Sequence, residues 1–173
     1  MEYILETKRL LFREFTPADA TLIYELNSDP EVIKYTLDPI VNIEQAETIL
    51  KEIIVPQYSL YNHGRWALHT KNNNEFIGWC GLKHQKETGE IDLGYRLKKS
   101  EWGKGYATEA AKATIDYGLK KLGLQCITGR ALPGNDASVH VMEKCGMNPI
   151  GIQKIEGLDH HTFQITNQIN NHE

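Results

Sequence analysis

The stretch EIDLGYRLKKSEWGKGYATEAAKATIDYGLKKLGLQCITGRA, residues 90–131, decides the fold. Gly103, Lys104, Gly105 and Ala107 stand there in front of an alanine-rich segment. Along that segment Ala107, Ala110, Ala111, Thr114, Ile115, Gly118, Leu119 and Leu122 recur at alternating steps of three and one. That spacing is an apolar stripe of helical period, with side chains small enough for close packing on a sheet. Gly123 is a left-handed stop for the helix. Glu90 to Lys98 before it and Leu124 to Ala131 after it have strand character. The stretch therefore reads strand, helix, strand, a parallel crossover unit.

A glycine-rich turn between strand and helix points consecutive backbone N–H groups at one spot, at the positive end of the helix dipole. Glycine lets an anion come within hydrogen-bond distance of the backbone. Two glycines before a helix are also what a plain turn requires. Two familiar phosphate loops are excluded. The P-loop needs Lys and then Ser or Thr after its last glycine, whereas Tyr106 and Ala107 follow Gly105. The Rossmann fingerprint needs a small residue where Thr108 stands and belongs to the first strand–helix unit. ATP and NAD are poor candidates. Gly94, in mid-strand, predicts a bulge or a close approach by another backbone or a ligand. A strand that opens there exposes amides for an extended, amide-containing molecule such as pantetheine, whose pyrophosphate would reach the loop.

Outward from this unit, Lys8 to Phe15 reads as a first strand. Thr16 and Pro17 start a helix to about Asn27, and a second helix runs from about Ile43 to Tyr61 with Pro56 kinking or dividing it. Arg65 to Thr70 and Glu75 to Lys83 are two strands joined by a turn at Lys71 to Asn74. Asn135 to Cys145 is a last helix closed by Gly146, followed by strands over Met147 to Ile155 and His161 to Ile169. The order predicts an α/β (α+β) fold, a mixed central sheet flanked by helices.

With 173 residues, 40% of them hydrophobic, the chain has the size of one domain, expected over residues 1–173. A net charge of −4 argues against direct nucleic-acid binding and mildly favours a cationic or amine-bearing partner. The acidic start lacks the basic flank of a signal peptide, and no apolar run approaches about 18 residues. A soluble cytoplasmic protein with no membrane attachment is expected; an oligomer is compatible with the sequence. Cys80, Cys126 and Cys145 lack zinc spacing and read as free thiols, with Cys145 the nearest to a nucleophile. The scattered histidines, the adjacent His160 and His161 included, give no metal pattern, so no metal is predicted.

The segments DLGYRLKKSEWGKGYATEA and NDASVHVMEKCGM, with TKRLLFREFTPADA and NSDPEVIKY nearer the start, resemble the GNAT acetyltransferase superfamily. Within it they are most similar to the branch of ribosomal-protein alanine N-acetyltransferases of the Rim type. The resemblance covers nearly the whole chain. It implies the GNAT fold, acetyl-coenzyme A as cofactor, and acetyl transfer to a primary amine by direct attack in a ternary complex. The acceptor it implies is a protein N-terminus or a small amine. Carried onto this sequence, it places pantetheine on the backbone of Tyr95, Arg96 and Leu97. The pyrophosphate falls to the amides of Gly103, Lys104, Gly105, Tyr106, Ala107 and Thr108, and the reactive end to Asn135. The chain departs from the superfamily twice. Trp102 stands where a Gln or Arg usually begins the loop, and Met142 where many members carry a tyrosine acid.

An alkylammonium has no lone pair and must lose a proton before it attacks a thioester. Glu90 and Asp92 lie two apart, hence on one strand face. The resemblance points to Asp92 as the base. Two solvated acids on an exposed face is the competing reading, and so is an ordered water as base. Ser138, three residues after Asn135, is by resemblance a hydroxyl donor to the departing thiolate; a serine in a first helical turn is also common without a function. Asn135 reads equally as a helix N-cap, and its side chain can serve both roles. A protein that binds acyl-coenzyme A for regulation or sensing, without turnover, is the alternative class.

Overall fold

The computed structural model describes residues 2–168, so the expectations resting on Ile169 and His172 lie outside the described residues. In chain order the elements are β1 (Leu5–Glu6), β2 (Leu10–Glu14), α1 (Ala20–Asn27), α2 (Ile43–Ile49), α3 (Val55–Tyr61), β3 (Arg65–Thr70) and β4 (Phe76–His84). They continue with β5 (Ile91–Leu97), α4 (Tyr106–Asp116), β6 (Cys126–Ala131), α5 (Asp136–Lys144), β7 (Asn148–Ile155) and β8 (Leu158–Thr166). The strands form one eight-stranded mixed sheet in the order β1-β2-β3-β4-β5-β6-β8-β7. β1 to β5 pair antiparallel in sequence, β5 and β6 pair parallel through α4, and β8 inserts antiparallel between β6 and β7. The crossover read from residues 90–131 is therefore present.

Each face of the sheet carries its own core. Ala110, Ala111 and Ile115 of α4 and Met142 of α5 pack with Leu10, Phe12, Trp66, Ile77, Cys80 and Ile127 on one side. Ile23 and Leu26 of α1 and Ala46 of α2 pack with Phe15, Ala67 and Phe76 on the other. The α4 stripe is the buried one, and its single polar member, Thr114, meets the Cys80 thiol at 3.3 Å. Fully burying alanines brings α4 close to the strands, which sets the loop before it at the carboxyl end of β5.

The helix expected over residues 43–61 is divided, but upstream of Pro56. Residues Leu50–Ile54 widen into a π turn, closed by the Val55 N–H bonding Leu50 O, and Pro56 enters α3 in its first turn, where a missing N–H is tolerated. A second π turn, Tyr117–Lys121, follows α4 before Gly123 (φ +68°) ends it.

Gly94 corrects one expectation. The β4–β5 register runs unbroken from Gly78↔Leu97 to His84↔Ile91, so there is no bulge. A Cβ on Gly94 would lie 2.7 Å from the Arg65 guanidinium carbon, so the close approach is by a side chain of β3. The opening occurs on the other edge. β5 and β6 share only the pair Asp92↔Thr128 and then part.

Candidate active site

The parting of β5 from β6 leaves one strand edge unpaired, and alternation decides which groups it exposes. The Lys98 N–H donates to Ile77 O at 2.9 Å, so backbone groups of even-numbered residues turn toward β4 and those of Tyr95 and Leu97 toward the gap. The backbone of Arg96 accordingly faces β4 and is withdrawn from the expected pantetheine contact. Leu97 O accepts the Trp102 indole N–H at 3.1 Å, leaving the Leu97 amide and both Tyr95 groups at the open edge. Trp102 thus anchors the loop to the strand in place of a phosphate-touching side chain.

Beyond Trp102 the chain turns through Gly103 (φ +74°) and Gly105 (φ +82°) into α4. Gly105 is the N-cap residue of α4 and offers no side-chain cap. Among the described residues, the amides of 103–108 have no hydrogen-bond acceptor within the chain, and the first helical bond to this region runs from Glu109 N–H to Gly105 O. A Cβ on Gly103 would meet none of the described residues within 4 Å. Left-handed glycines, orphan amides and open space together fit a diphosphate.

One cleft joins this loop to the opposite side of the sheet. It is lined by Gly103, Gly105 and Thr108, then by Tyr95, Asn135 and Ser138, and further on by Asp92, Arg65, Trp79 and Asp38. Asn135 caps α5, its Oδ1 accepting the Ser138 N–H at 3.4 Å, while its side-chain amide remains on the cleft wall. The Ser138 hydroxyl lies 2.7 Å from the Tyr95 phenol, which also reaches Ser138 O at 3.1 Å. Burial, offset by the Ser138 hydrogen bond, raises the pKa of that phenol above the ordinary tyrosine value, so it remains a donor through the working pH range. The phenol has one proton to give: donated to Ser138 O it leaves the serine hydroxyl donating to the phenol oxygen, and donated to Ser138 Oγ it turns the serine proton toward the cleft. The strand tyrosine was expected to contribute only its backbone. The one signal for its side chain was the missing tyrosine at position 142, where Met142 is buried in the core.

Glu90 and Asp92 do share one face; Asp92 is shielded, and Glu90 is ion-paired with its side chain 36% exposed. Asp92 Oδ2 accepts Arg65 Nη2 at 2.9 Å, while Arg65 Nη1 donates to Asp92 O at 3.0 Å and Gly81 O at 2.8 Å. Arg130 of β6 bonds Glu90 Oε2 at 2.6 Å and Gln153 Oε1 at 3.1 Å, and its Nη1 is 3.9 Å from Asp92 Oδ1. Side chains of Arg65, Arg130 and Asp92 are 15, 13 and 17% exposed. The picture of two solvated acids is thus corrected for Asp92, while Glu90 stays partly exposed; both carboxylates are held by guanidiniums at the cleft wall. Across the strand pair from Asp92 stands Lys83, whose pKa is lowered by burial and by Arg65.

Farther out, Arg96 binds Asn27 Oδ1 at 2.8 Å and both Asp38 oxygens at 3.0 Å, tying the segment after α1 to β5. The guanidinium groups of Arg65 and Arg96 lie 5.0 and 5.4 Å from the Trp79 ring centre. The three cysteines are free, and burial raises the Cys145 thiol to about 11 and the Cys80 thiol to about 12, which removes them as thiolate nucleophiles near neutral pH. Among the described residues no three His, Cys, Asp or Glu side chains come together as metal ligands, and no helix is long and apolar enough to cross a membrane.

The family profile described as an acetyltransferase (GNAT) domain matches residues 9–148. A curated relative, the uncharacterized N-acetyltransferase p20 of Bacillus licheniformis, is 34% identical over 157 residues, covering 89% of this chain and 84% of its own. The solved ribosomal-protein-S5-alanine acetyltransferase of Vibrio fischeri superposes with a TM-score of 0.74 at 21% identity, covering 95% of this chain and 97% of its own. The spermidine N-acetyltransferase of Vibrio cholerae, solved with CoA and spermine, gives 0.76 at 20% identity, covering 93 and 97%. At these identities the two structures establish the shared fold.

Proposed function

We propose that this chain, which belongs to the GNAT acetyltransferase family and uses acetyl-CoA, acetylates an α-amine such as a protein N-terminus by direct attack in a ternary complex. The observation that carries the choice of acceptor is the engagement of both strand carboxylates by Arg65 and Arg130. A site whose acids are so occupied is best matched to an amine that needs little help to lose its proton. An α-amine, with a pKa of about 7.7–8.0, is roughly one-seventh neutral at pH 7, whereas an alkylamine near 10.4 is neutral about once in 2,500 molecules. The family's Rim-type relatives act on such N-termini, and the fold neighbour from Vibrio fischeri is named for a ribosomal-protein alanine.

Acetyl-CoA supplies an activated thioester carbonyl. The amides of Gly103, Lys104, Gly105, Tyr106, Ala107 and Thr108 would hold its diphosphate, and the Tyr95 and Leu97 edge its pantetheine. Asn135 and Ser138 stand where that edge meets α5. The Ser138 O–H donates a proton to the departing sulfur and draws on the Tyr95 phenol behind it. Asp92 and Glu90, fixed by their arginines, would line the approach of the amine and take up the proton of an α-amine through a water, a smaller contribution than an unpaired carboxylate base makes.

Thiol release from acetyl-CoA tests this with three acceptors: a short peptide with a free N-terminus, the same peptide N-acetylated but carrying lysine, and spermidine. The free peptide should react fastest, with kcat/KM rising to a plateau near the α-amine pKa. Preference for spermidine or lysine would overturn the acceptor assignment. Binding of acetyl-CoA without thiol release from any amine would favour a sensor.

A further inference from the structure

Arg9, which precedes β2, lies against the phosphate loop from the side away from the cleft. Its Nη1 donates to Lys104 O at 2.9 Å, its Nε pairs with Glu109 Oε2 at 3.1 Å, and its guanidinium carbon stands 4.3 Å from the centre of the Tyr106 ring. A Cβ added to Gly105 would be 3.4 Å from Arg9 Nη2, so the guanidinium also covers that glycine's outer face. The Arg9 backbone is fixed, its carbonyl accepting the Lys71 N–H at 2.8 Å, and its side chain, 40% exposed, is held by the loop contacts alone. The cleft is lined by Gly103, Gly105, Tyr106, Ala107 and Thr108; neither Arg9 nor Lys104 belongs to its wall.

A trans peptide is planar, with its carbonyl and the following N–H pointing in opposite directions. Holding the Lys104 carbonyl outward therefore turns the Gly105 N–H inward, toward the open space over the loop. Gly105 on its C-terminal side makes this peptide easier to flip in the absence of a restraint. Glu109, in the first turn of α4, is a carboxylate close to an anion site, and Arg9 neutralises it.

We infer that Arg9 is a positioning residue for the cofactor: it locks the Lys104–Gly105 peptide with its amide toward the diphosphate and offsets the Glu109 charge beside that site. It takes the place, from the outer side, of the side chain lost at the loop's first position, where Trp102 stands. The inference rests on acetyl-CoA binding at this loop and not on the identity of the acceptor.

The test uses the full chain without any acceptor. Dissociation constants are measured by nuclear magnetic resonance titration for CoA and for pantetheine, which lacks every phosphate, in the wild type, Arg9→Gln, Arg9→Lys and Glu109→Gln. Arg9→Gln should weaken CoA roughly tenfold, the scale of one charge-assisted hydrogen bond, and leave pantetheine within about twofold. Arg9→Lys keeps the charge but cannot span both partners, and should fall between. Glu109→Gln removes only the anion and should bind CoA at least as tightly as the wild type. Equal weakening of CoA and pantetheine, or CoA affinity unchanged by Arg9→Gln, would overturn the inference. If Arg9→Gln does not fold, weakened CoA binding in Glu109→Gln overturns it instead. Failure of wild-type CoA binding would be a failure of the cofactor reading itself.

Discussion

Replacing Gly105 by Asp and, separately, by Asn isolates charge from shape in the phosphate loop. Gly105 has φ +82° and ψ 6°, a left-handed conformation that costs most side chains about 1–2 kcal/mol and is best tolerated by Asn and Asp. Among the described residues, the one atom within 4 Å of an added Cβ is Arg9 Nη2 at 3.4 Å, an ordinary contact, so both variants should fold. They differ by one negative charge. About 5 Å from a phosphate charge, that difference is about 0.8 kcal/mol in bulk water and about 3 kcal/mol at an effective dielectric constant near 20. CoA affinity should therefore be roughly fourfold to over a hundredfold weaker in Gly105→Asp than in Gly105→Asn, and the gap should narrow as salt is added. Without ligand the order reverses, since an anion at the start of α4 is stabilised by the helix dipole by about 0.3–1 kcal/mol. Calorimetric titration with CoA and urea unfolding of the free variants read the two effects independently. Equal CoA affinity in the two variants would refute diphosphate binding at this loop.

Asp92→Asn leaves the partly buried Arg65 without its counter-charge, so urea unfolding should show a loss of about 1–3 kcal/mol, and turnover should fall while CoA affinity is kept. Adding Arg65→Met to Asp92→Asn should recover stability but not turnover. Ser138→Ala and Tyr95→Phe should each lower kcat by about one to two orders of magnitude with little change in KM, and the double variant should be no worse than the poorer single one, because the two hydroxyls act in series. His63 is 2% exposed with Nδ1 unpartnered among the described residues, and burial lowers its pKa. The unfolded chain then binds a proton that the folded chain refuses, so stability present above about pH 6.5 is lost as the pH falls toward the folded value. His63→Asn should flatten the fall in unfolding free energy between pH 7 and 5.

The parallel crossover was legible because its signals are local. The three-and-one stripe of α4, the stop at Gly123 and the loop glycines all lie within about one helix length. β3 also keeps its expected limits, Arg65–Thr70, since a turn bounds it closely. The insertion of β8 between β6 and β7 could not be read, because alternation says which face a strand buries and not which neighbour it chooses. β1, two residues long, carries no pattern. At the candidate site, spacing and resemblance pointed to the loop, Asn135 and Ser138, which line one cleft. The ties that change their chemistry were not legible: Arg65 to Asp92 spans 27 positions, Arg130 to Glu90 spans 40, and Tyr95 to Ser138 spans 43. Gly94 shows the limit most plainly. Its lack of a side chain correctly signalled a close approach, but only the fold reveals that the approaching group is Arg65.

The measurement that bears most directly on this reading is a map of backbone amide shifts by nuclear magnetic resonance as CoA is added to the wild-type chain. The largest changes should fall on residues 103–108, which form the loop, and on the Tyr95 and Leu97 amides at the open edge. Arg96, whose amide faces β4, should move less than either neighbour. Saturable changes centred elsewhere, or an equal response along all of β5, would contradict the placement of the cofactor in the gap between β5 and β6.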